Sequence, residues 1–349
     1  MTKMKRVYDH GMKITTLNIE IVTDCPFSTC SVLEVFDAAK RDGRPVYVSA
    51  PMVRYSKLPF RLLARTHAVD ITYTPMMLAH EFIRSPTARD SDFTTHPFER
   101  QPTPHDARPH ALIAQFASND PEEFARAAEM IAPWVDGVDL NCGCPQGWAC
   151  KEGIGCALMG EGEVVASVVR AAKERLRGSG VGVSVKCRIH GDLRQTVEWL
   201  ERVQDAGVDY LTVHARLKSQ RSSTPPNWDA LAQLRPHIRV PLLANGDAYT
   251  LSGVQEILNK TQADGIMAAR GILENPAMFT GQDHVTPELL LEFLEWAVRC
   301  PIPFPLVLHH ISEMVGRMEG TTKKIRREVM ECTDLVDVID FVEGRWGRQ

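Results

Sequence analysis

Residues 181–213 read VGVSVKCRIHGDLRQTVEWLERVQDAGVDYLTV and contain one complete repeat of the predicted fold. The run Val181–Cys187 is apolar and β-branched, which is typical of a buried parallel strand. Apolar side chains then recur at the spacing of one helical face, at Leu193, Val197, Leu200 and Val203. Gly207 ends this helical pattern, and a second strand-like run begins at Tyr210. Because parallel strands need a crossover helix, the stretch predicts one strand–helix–strand unit.

The same order of elements repeats along the chain. Eight apolar runs have the length of strands, namely Val46–Ala50, Val69–Tyr73, Ala111–Phe116, Gly137–Leu140, Val181–Cys187, Tyr210–Val213, Val240–Ala244 and Gly265–Ala268. Eight strand–helix units in roughly 230 residues match a (β/α)8 barrel. We therefore predict an α/β protein with a TIM barrel over residues 45–284. The alternative is a doubly wound open sheet, which would have fewer strands and a glycine-rich first turn.

The two ends of the chain lie outside this pattern. Three amphipathic patterns follow the barrel, at Pro287–Arg299, Leu306–Met318 and Asp334–Glu343, and they predict a small all-helical domain over residues 285–349. Residues 1–44 form an N-terminal extension, in which Ile14–Val22 alternates weakly like a strand.

The composition excludes several classes of protein. The chain has 349 residues and a mass of 39.0 kDa, with 44% hydrophobic and 24% charged residues, which is an ordinary globular composition. No run of about 18 apolar residues is present, so we expect no membrane span. The net charge of −4 means that any binding of nucleic acid would depend on a local basic patch.

The cysteine content indicates a reducing compartment. Nine cysteines, an odd number without regular spacing, do not form a disulfide framework. The basic N-terminal residues are not followed by the apolar stretch of a signal peptide. We therefore expect free thiols and a location in the cytoplasm or the nucleus.

Polar residues, small residues or methionine lie at or just after the end of each predicted strand. They are Pro51-Met52, Thr74-Pro75-Met76, Gln115, Asn141-Cys142-Gly143-Cys144-Pro145, Lys186 with Arg188, His214 with Arg216, Asn245-Gly246-Asp247 and Ala269-Arg270-Gly271. Active sites of TIM barrels are built at the carboxyl ends of the strands. The pattern therefore predicts one active site at the mouth of the barrel.

The last two strand ends and Lys186 indicate a phosphate-bearing cofactor. The loops after strands seven and eight, with turn glycines, backbone N–H groups and Arg270, have the place and chemistry of a TIM-barrel phosphate site. Lys186 has apolar neighbours and must face the mouth or a partner, because an unpaired buried ammonium is costly. There it would stabilise negative charge, which suits flavin mononucleotide (FMN), a cofactor that becomes anionic on reduction. Gly153-Ile154-Gly155 lacks the third glycine of a dinucleotide-binding motif.

Cys144 admits three roles. With Cys142, Cys150 and Cys156 it could ligate a metal, although no C-x2-C pair is present and we expect no metal. It could be a nucleophile if a histidine or a helix N-terminus stabilised its thiolate. It could also be a general acid, because a thiol with an ordinary pKa of about 8.5 is protonated at neutral pH. The residues alone do not separate the last two roles.

Taken together, these motifs resemble those of the flavin-dependent tRNA-dihydrouridine synthases. The resemblance rests on Ala50-Pro51-Met52 with Arg54–Lys57, Tyr73–Met76, Ala114-Gln115-Phe116, Leu140–Pro145, Val185–Arg188, Thr212-Val213-His214, Ala244–Asp247 and Ala269-Arg270-Gly271. It covers residues 46 to 280, and the helical tail is similar to the family's tRNA-binding domain. The Cys-Gly-Cys-Pro-Gln block with Trp148 is most similar to the eukaryotic type-four subgroup, which acts at positions 20a and 20b of the D loop.

The resemblance implies a reaction and a role for each site residue. NADPH or NADH would reduce bound FMN, which would pass a hydride to C6 of a uridine in tRNA while Cys144 protonates C5. The implied flavin contacts are Pro51, Met52, Gln115, Lys186 and His214. The implied phosphate contacts are Asn245, Gly246, Asp247, Ala269 and Arg270. Asn141 and Arg188 would face the uridine.

The resemblance also implies that the tail binds tRNA. The cations expected to contact tRNA are Arg317, Lys323, Lys324, Arg326 and Arg327. Because the tail holds more acids than bases overall, the alternative is a solvated helical face. We expect a monomer that contacts tRNA and a nicotinamide nucleotide but no membrane.

One segment departs from the family pattern. The family usually reads His-Gly-Arg-Thr after strand six, where this chain has His214-Ala215-Arg216-Leu217. Ala215 adds a Cβ where the backbone would approach a ligand, and Leu217 lacks a hydroxyl. This departure concerns the substrate-side loop more than the flavin site. Separately, two other functions stay open, namely an FMN-dependent reductase of a small molecule and a tRNA-binding protein without catalysis.

Overall fold

The structure, a computed structural model, describes residues 31–101 and 106–347. Its centre is a closed barrel of eight parallel strands, which confirms the predicted fold class. In order around the barrel the strands are β1 (Val46–Ser49), β2 (Ile71–Tyr73), β4 (Ala111–Ala117), β5 (Gly137–Cys142), β6 (Gly182–Ile189), β7 (Tyr210–Leu217), β8 (Leu242–Asn245) and β9 (Gly265–Ala268). Pairing of β9 with β1 and of β2 with β4 closes the ring.

Helices connect the strands and continue after the last one. They are α1 (Val32–Arg41), α2 (Leu58–Thr66), α3 (Ala79–Arg84), α4 (Pro86–Asp92), α5 (Pro121–Ile131), α6 (Gly147–Lys151), α7 (Gly162–Arg175), α8 (Leu193–Asp205), α9 (Trp228–Leu234), α10 (Leu251–Thr261), α11 (Arg270–Glu274), α12 (Pro287–Arg299), α13 (Phe304–Val315), α14 (Lys323–Met330) and α15 (Leu335–Trp346). Within the described residues, none of these helices is long and apolar enough to cross a membrane.

Most strand ends lie within two residues of the prediction, and three differences affect the mouth. β6 continues to Ile189 and β7 to Leu217, because polar side chains that point into the mouth leave the backbone ladder intact. A register shift follows Arg188, where Ile189 pairs with Leu217. The two-residue strand β3 (Met77–Leu78) was not predicted, and it pairs with the end of β4 outside the eight-strand ring.

Alternation along the strands separates two sets of side chains. One set faces the surrounding helices in a large apolar core, as Val183 and Val185 of β6 do. The other set faces the barrel interior. At the amino ends of the strands this interior is apolar, and α1 packs against it through Val35 and Phe36.

Helix α1 closes the amino end of the barrel. The ring of Phe36 lies 5.4 Å from that of Tyr210 of β7. Sequence analysis gave this part of the N-terminal extension no role. In the structure it covers the apolar amino end of the barrel. The predicted strand Ile14–Val22 lies outside the described residues.

The C-terminal helices pack on the barrel. The three helical patterns after Pro287 are confirmed, and the structure adds α14. His310 of α13 is buried against the rings of Phe60, Phe293 and Tyr55, at centroid distances of 4.8, 4.8 and 5.2 Å. Its Nε2–H donates to the carbonyl of Tyr55 at 3.1 Å. This contact ties the tail to the loop after β1, which lies at the mouth.

Candidate active site

The carboxyl ends of the strands bring many of the predicted site residues together. Asn141 of β5 is in register with Lys186 of β6, and Arg188 of β6 with His214 of β7. His214 is in turn in register with Asn245 of β8. These five residues form a continuous belt at the mouth, where TIM barrels place their active sites.

His214 lies among the cationic side chains of Lys186, Arg188, Arg216 and Arg270. Burial, together with these positive charges, lowers the pKa of His214 to about 2, so the ring is neutral. Nη1 of Arg216 lies 3.2 Å from Nε2 of His214. Because a guanidinium only donates, Nε2 is the acceptor and Nδ1 carries the ring proton.

Lys186 and Thr212 offer polar groups that are not hydrogen-bonded to any residue the structure describes. The Lys186 ammonium makes neither a hydrogen bond nor a salt bridge with any described residue. Burial, followed by the charge of Arg188, lowers its pKa to about 8. The buried Oγ1 of Thr212, in register with Lys186, has no hydrogen-bond partner among the described residues. Buried polar groups are normally satisfied, so this pair fits a polar ligand in the mouth.

The predicted phosphate site is built around Asp247. Its carboxylate makes ion pairs with both Arg216 and Arg270. Nδ2 of Asn245 donates to the carbonyl of Met267 at 2.8 Å, which joins β8 to β9. The side chain of Asp247 therefore holds two arginines in place, and their guanidinium groups are the parts that attract an anion.

Two glycines allow the last two loops to pack closely. A Cβ on Gly271 would lie 2.0 Å from the carbonyl oxygen of Ala248, so the loop after β9 touches the loop after β8 only because this Cβ is absent. A Cβ on Gly246 would lie 2.4 Å from the ring of Trp228. Ala269 lies between β9 and α11, directly before the exposed Arg270.

The Cys144 loop is held by backbone hydrogen bonds. Oδ1 of Asn141 accepts from the N–H groups of Gly143 and Cys144, at 3.1 and 2.9 Å. The carbonyl of Cys144 accepts from the N–H of Cys156 at 2.9 Å. Gly155 has a φ of +63°, and a Cβ there would lie 2.7 Å from the Cys144 carbonyl oxygen. The Cys144 side chain is partly exposed within this fixed loop.

Three other predicted residues are engaged by protein groups. The Arg188 guanidinium donates to the carbonyls of Gly143, Leu217 and Gln220, at 2.9, 2.9 and 3.1 Å. Oε1 of the buried Gln115 accepts from Nδ2 of Asn141 at 2.8 Å. These side chains shape the mouth, and their roles toward the uridine and the flavin remain predictions.

Pro51 and Met52 begin the loop after β1 and are partly exposed. The N–H of Met52 donates to Oγ of Ser56 at 2.9 Å, and that hydroxyl donates to the carbonyl of Ala50 at 2.8 Å. The loop is therefore fixed by the buried Ser56, and its first two residues border the mouth.

The four cysteines from Cys142 to Cys156 are not grouped as metal ligands in the part of the chain that the structure describes. Within residues 31–101 and 106–347, no group of three or more His, Cys, Asp or Glu side chains is placed to hold a metal ion. The side chain of Cys142 is buried in the core between the strands and the surrounding helices, whereas Cys144 lies at the mouth.

The structure adds one site residue and shows where the side chain of Ala215 lies. Arg216 was noted beside His214 in the sequence but given no role, and it contacts both His214 and Asp247. Ala215 is fully buried in the core around the barrel. Alternation turns this side chain away from the mouth, and the approach of the backbone at Ala215 to a ligand stays a prediction.

Comparison with known proteins places the chain in a family. The family model described as dihydrouridine synthase (Dus) matches residues 48–339. A tRNA-dihydrouridine(20a/20b) synthase (NAD(P)+) of Schizosaccharomyces pombe is 42% identical over 311 residues, which are 89% of this chain and 90% of that protein. The enzyme of the same name from Saccharomyces cerevisiae is 40% identical and is matched over 86% of this chain and 80% of its own. A human protein named as tRNA-dihydrouridine(20a/20b) synthase-like is 34% identical over 92% of this chain and 99% of its own.

A solved structure supports the architecture independently. Histamine dehydrogenase from Rhizobium sp. 4-9 aligns with 72% of this chain and 49% of its own, with a TM-score of 0.51 and 11% identity. At this identity the likeness concerns the fold alone. The matched family model, the relatives and the belt of residues at the barrel mouth lead to one conclusion: the chain belongs to the dihydrouridine synthase (Dus) family.

Proposed function

We propose that this protein reduces the C5–C6 double bond of D-loop uridines in tRNA, with bound FMN as the hydride donor and NADPH or NADH as the reductant. The observation that carries the proposal is the mouth itself, where four cations surround the neutral His214 and one of them, Arg188, is bonded to the loop of the partly exposed Cys144. The relatives named for positions 20a and 20b support those two uridines as the substrates. The protein acts as a monomer in this proposal.

The charges at the mouth fit FMN. Lys186, Arg188, Arg216 and Arg270 converge there. Asp247 pairs with two of them and the charge of Asp139 acts on Lys186, so these cations outnumber the two carboxylates. An anion is favoured where positive charge is in excess and water is partly excluded. Arg270 and the loops after β8 and β9 would hold the phosphate. Lys186 and the unpartnered hydroxyl of Thr212 would face the flavin ring.

Cys144 supplies the proton of the reaction. FMN held at the mouth would supply, in its reduced form, the hydride for C6 of the uracil. The Cys144 thiol then gives its proton to C5, which completes the addition of two hydrogen atoms across the double bond. Because the side chain is partly exposed, solvent restores the proton to the thiolate before the next turnover. A positioned general acid of this kind contributes about 10²- to 10⁴-fold to a rate.

Basic groups connect the mouth to the tail. The ring of Tyr249 lies between two arginines, with Cζ of Arg270 at 5.3 Å and Cζ of Arg317 at 5.4 Å from its centroid. A cleft of about 430 Å³ opens beside this ring, lined by Tyr249, Glu274, Glu313, Gly316, Arg317 and Arg326. The uridine must leave its stack to reach the mouth, and the rest of the tRNA is gripped through its phosphates. Arg317 pairs with Glu274 and Arg326 with Glu313, and in this proposal tRNA phosphates meet these arginines at the cleft.

The test is to map dihydrouridine in tRNA. Protein loaded with FMN is incubated with NADPH and tRNA that lacks dihydrouridine, and the product is sequenced by mass spectrometry. We expect dihydrouridine at positions 20a and 20b. Cys144→Ala should keep its FMN and lose at least about 100-fold in rate, since the acid is gone. The matched control, Cys150→Ala, alters an exposed thiol on α6 and should react like the wild type.

Two results would contradict the proposal at different points. Absence of dihydrouridine with FMN-loaded wild-type protein would refute the reaction. A full rate in Cys144→Ala would leave the reaction standing and remove Cys144 as the acid.

A further inference from the structure

One buried acid in the barrel interior has no part in the reaction described above. Asp139 of β5 is fully buried, in register with Gln115 of β4 and Ser184 of β6. Its Oδ1 accepts from the hydroxyl of Ser184 at 2.6 Å. Its Oδ2 accepts from Nε2 of Gln115 at 2.7 Å. A buried carboxylate is costly unless it is hydrogen-bonded, and here both oxygens are bonded.

A chain of hydrogen bonds runs from this acid to the proposed proton donor. Gln115 receives a bond from Nδ2 of Asn141 at 2.8 Å. Asn141 in turn receives the backbone N–H groups of Gly143 and Cys144, at 3.1 and 2.9 Å. Hydrogen bonds therefore connect the side chains of Asp139, Gln115 and Asn141 to the backbone of the Cys144 loop, from the barrel interior to the mouth.

The chemistry of Asp139 fixes the direction of every bond in this chain. An ionised carboxylate only accepts, so the Gln115 amide must present its NH2 group to Asp139. Its oxygen is then left to accept from Asn141. The Asn141 amide must in consequence present its oxygen to the N–H of Cys144. If either amide were reversed, two donors would face each other in a buried place, which is strongly unfavourable.

We propose that Asp139 is a positioning residue for the reaction, because it orients Gln115 and Asn141 and so holds the backbone of Cys144. The catalytic meaning of this role rests on the proposed function, in which Cys144 delivers the proton. Asp139 itself lies below the mouth and acts only through the two amides. Lys186 also feels its charge, so a test must separate hydrogen-bond acceptance from charge.

The test compares Asp139→Leu with two matched variants. Asp139→Asn removes the charge but keeps an oxygen for Gln115, since the Ser184 hydroxyl is able to accept from the new NH2 group. Ser184→Ala removes the other bond of Asp139 and leaves the amide chain intact. We measure hydrogen exchange at the backbone amides of Gly143 and Cys144, and the rate at which tRNA reoxidises the reduced protein.

Asp139→Leu should accelerate exchange at these two amides by at least about tenfold and slow the reoxidation by at least about tenfold, the size of one lost hydrogen bond. Asp139→Asn and Ser184→Ala should stay within about threefold of the wild type in both measurements. The proposal is overturned if Asp139→Leu leaves the two amides protected. It is also overturned if the reoxidation rate of Asp139→Asn falls as far as that of Asp139→Leu.

A second variant covers the case in which Asp139→Leu does not fold. Gln115→Met interrupts the chain while Asp139 stays in place, and it should accelerate exchange at Gly143 and Cys144 to a similar extent. Unchanged exchange in Gln115→Met would overturn the proposal. Hydrogen exchange does not depend on turnover. If the wild type makes no dihydrouridine, while the amides of Gly143 and Cys144 lose protection in these variants, the proposed function is refuted and the positioning role of Asp139 stands.

Discussion

At the scale of single residues, Gly155 is the backbone position that most directly limits the Cys144 loop. Its φ of +63° is a conformation that disfavours a side chain, and a Cβ would lie 2.7 Å from the Cys144 carbonyl oxygen. We expect Gly155→Ala to lower the free energy of unfolding by about 1–2 kcal/mol through backbone strain. It should also slow uridine reduction by at least about tenfold, because the Cys144 loop must move.

Gly43→Ala is the control for backbone strain. Gly43 has a φ of +65°, and nothing lies within 4 Å of a Cβ built on it. Urea unfolding should show a loss of stability in both variants, larger in Gly155→Ala because its Cβ also meets the Cys144 carbonyl oxygen. Single-turnover assays should show a loss of rate only in Gly155→Ala. Equal rates in the two variants would show that the contact with Cys144 does not matter.

The residue scale also shows what sequence reasoning could reach. The polar strand ends were visible because they interrupt apolar runs, and the structure brings Asn141, Lys186 and His214 together as the barrel requires. Asp139 was not singled out, because one acid inside a short apolar run gives no sign of its partners. Two-residue alternation with Asn141 was the available signal, since it places both on the interior face.

At the scale of elements, α14 is the helix with the greatest concentration of cations. Arg326 lies 3.6 Å from Glu313, and Lys324 lies 3.8 Å from Glu328. Lys323 and Arg327 are exposed, and neither makes a salt bridge within the described residues. The double variant Lys323→Ala/Arg327→Ala should weaken tRNA binding and reduce the slope of log affinity against log salt by about 1–2, because up to two phosphate contacts are lost.

Arg170→Ala/Arg177→Ala removes the same number of charges at the amino end of the barrel. These arginines lie beside Val32 and Gly182, far from the mouth along the strands. Binding isotherms at several salt concentrations should give this control the slope of the wild type. If the two double variants lost equal slope, α14 would have no special contact with tRNA.

Elements differ in how well the sequence predicts them. The eight barrel strands and helix α12 carry strong apolar patterns, so their positions follow from periodicity. β3 has only two residues, which is below the length at which alternation is visible. α1 lies in a segment whose apolar face meets the end of a barrel rather than a helix or sheet face, so its pattern did not indicate its partner.

At the scale of the whole molecule, buried neutral histidines make stability depend on pH. Burial, with the loss of hydration that it brings, lowers the pKa of His310 and of His110 to about 3 each. Unfolded histidine titrates at about 6.5, so between these values the unfolded chain binds more protons. The contribution of these histidines to the free energy of unfolding is therefore fully present above about pH 6.5. It is lost as the pH is lowered, by about 2 kcal/mol for each histidine between pH 7 and pH 5.

His310→Phe tests the contribution of the tail. Its unfolding free energy, followed by urea titration from pH 7 to pH 5, should fall by about 2 kcal/mol less than that of the wild type. His309→Phe changes the exposed neighbour of His310 and should keep the slope of the wild type. An unchanged slope in His310→Phe would mean that this ring is protonated in the folded protein at pH 5.

The central claim concerns the whole barrel, whose carboxyl end gathers positive charge to bind FMN. Titration of the purified apoprotein with FMN, followed by flavin fluorescence, tests it most directly, with Lys186→Met and Arg270→Met at the mouth and Arg177→Met at the opposite end. We predict one FMN bound per chain, an affinity at least about tenfold weaker in each mouth variant, and no change in Arg177→Met. A wild type that binds no FMN, or an equal loss of affinity in all three variants, would contradict the account.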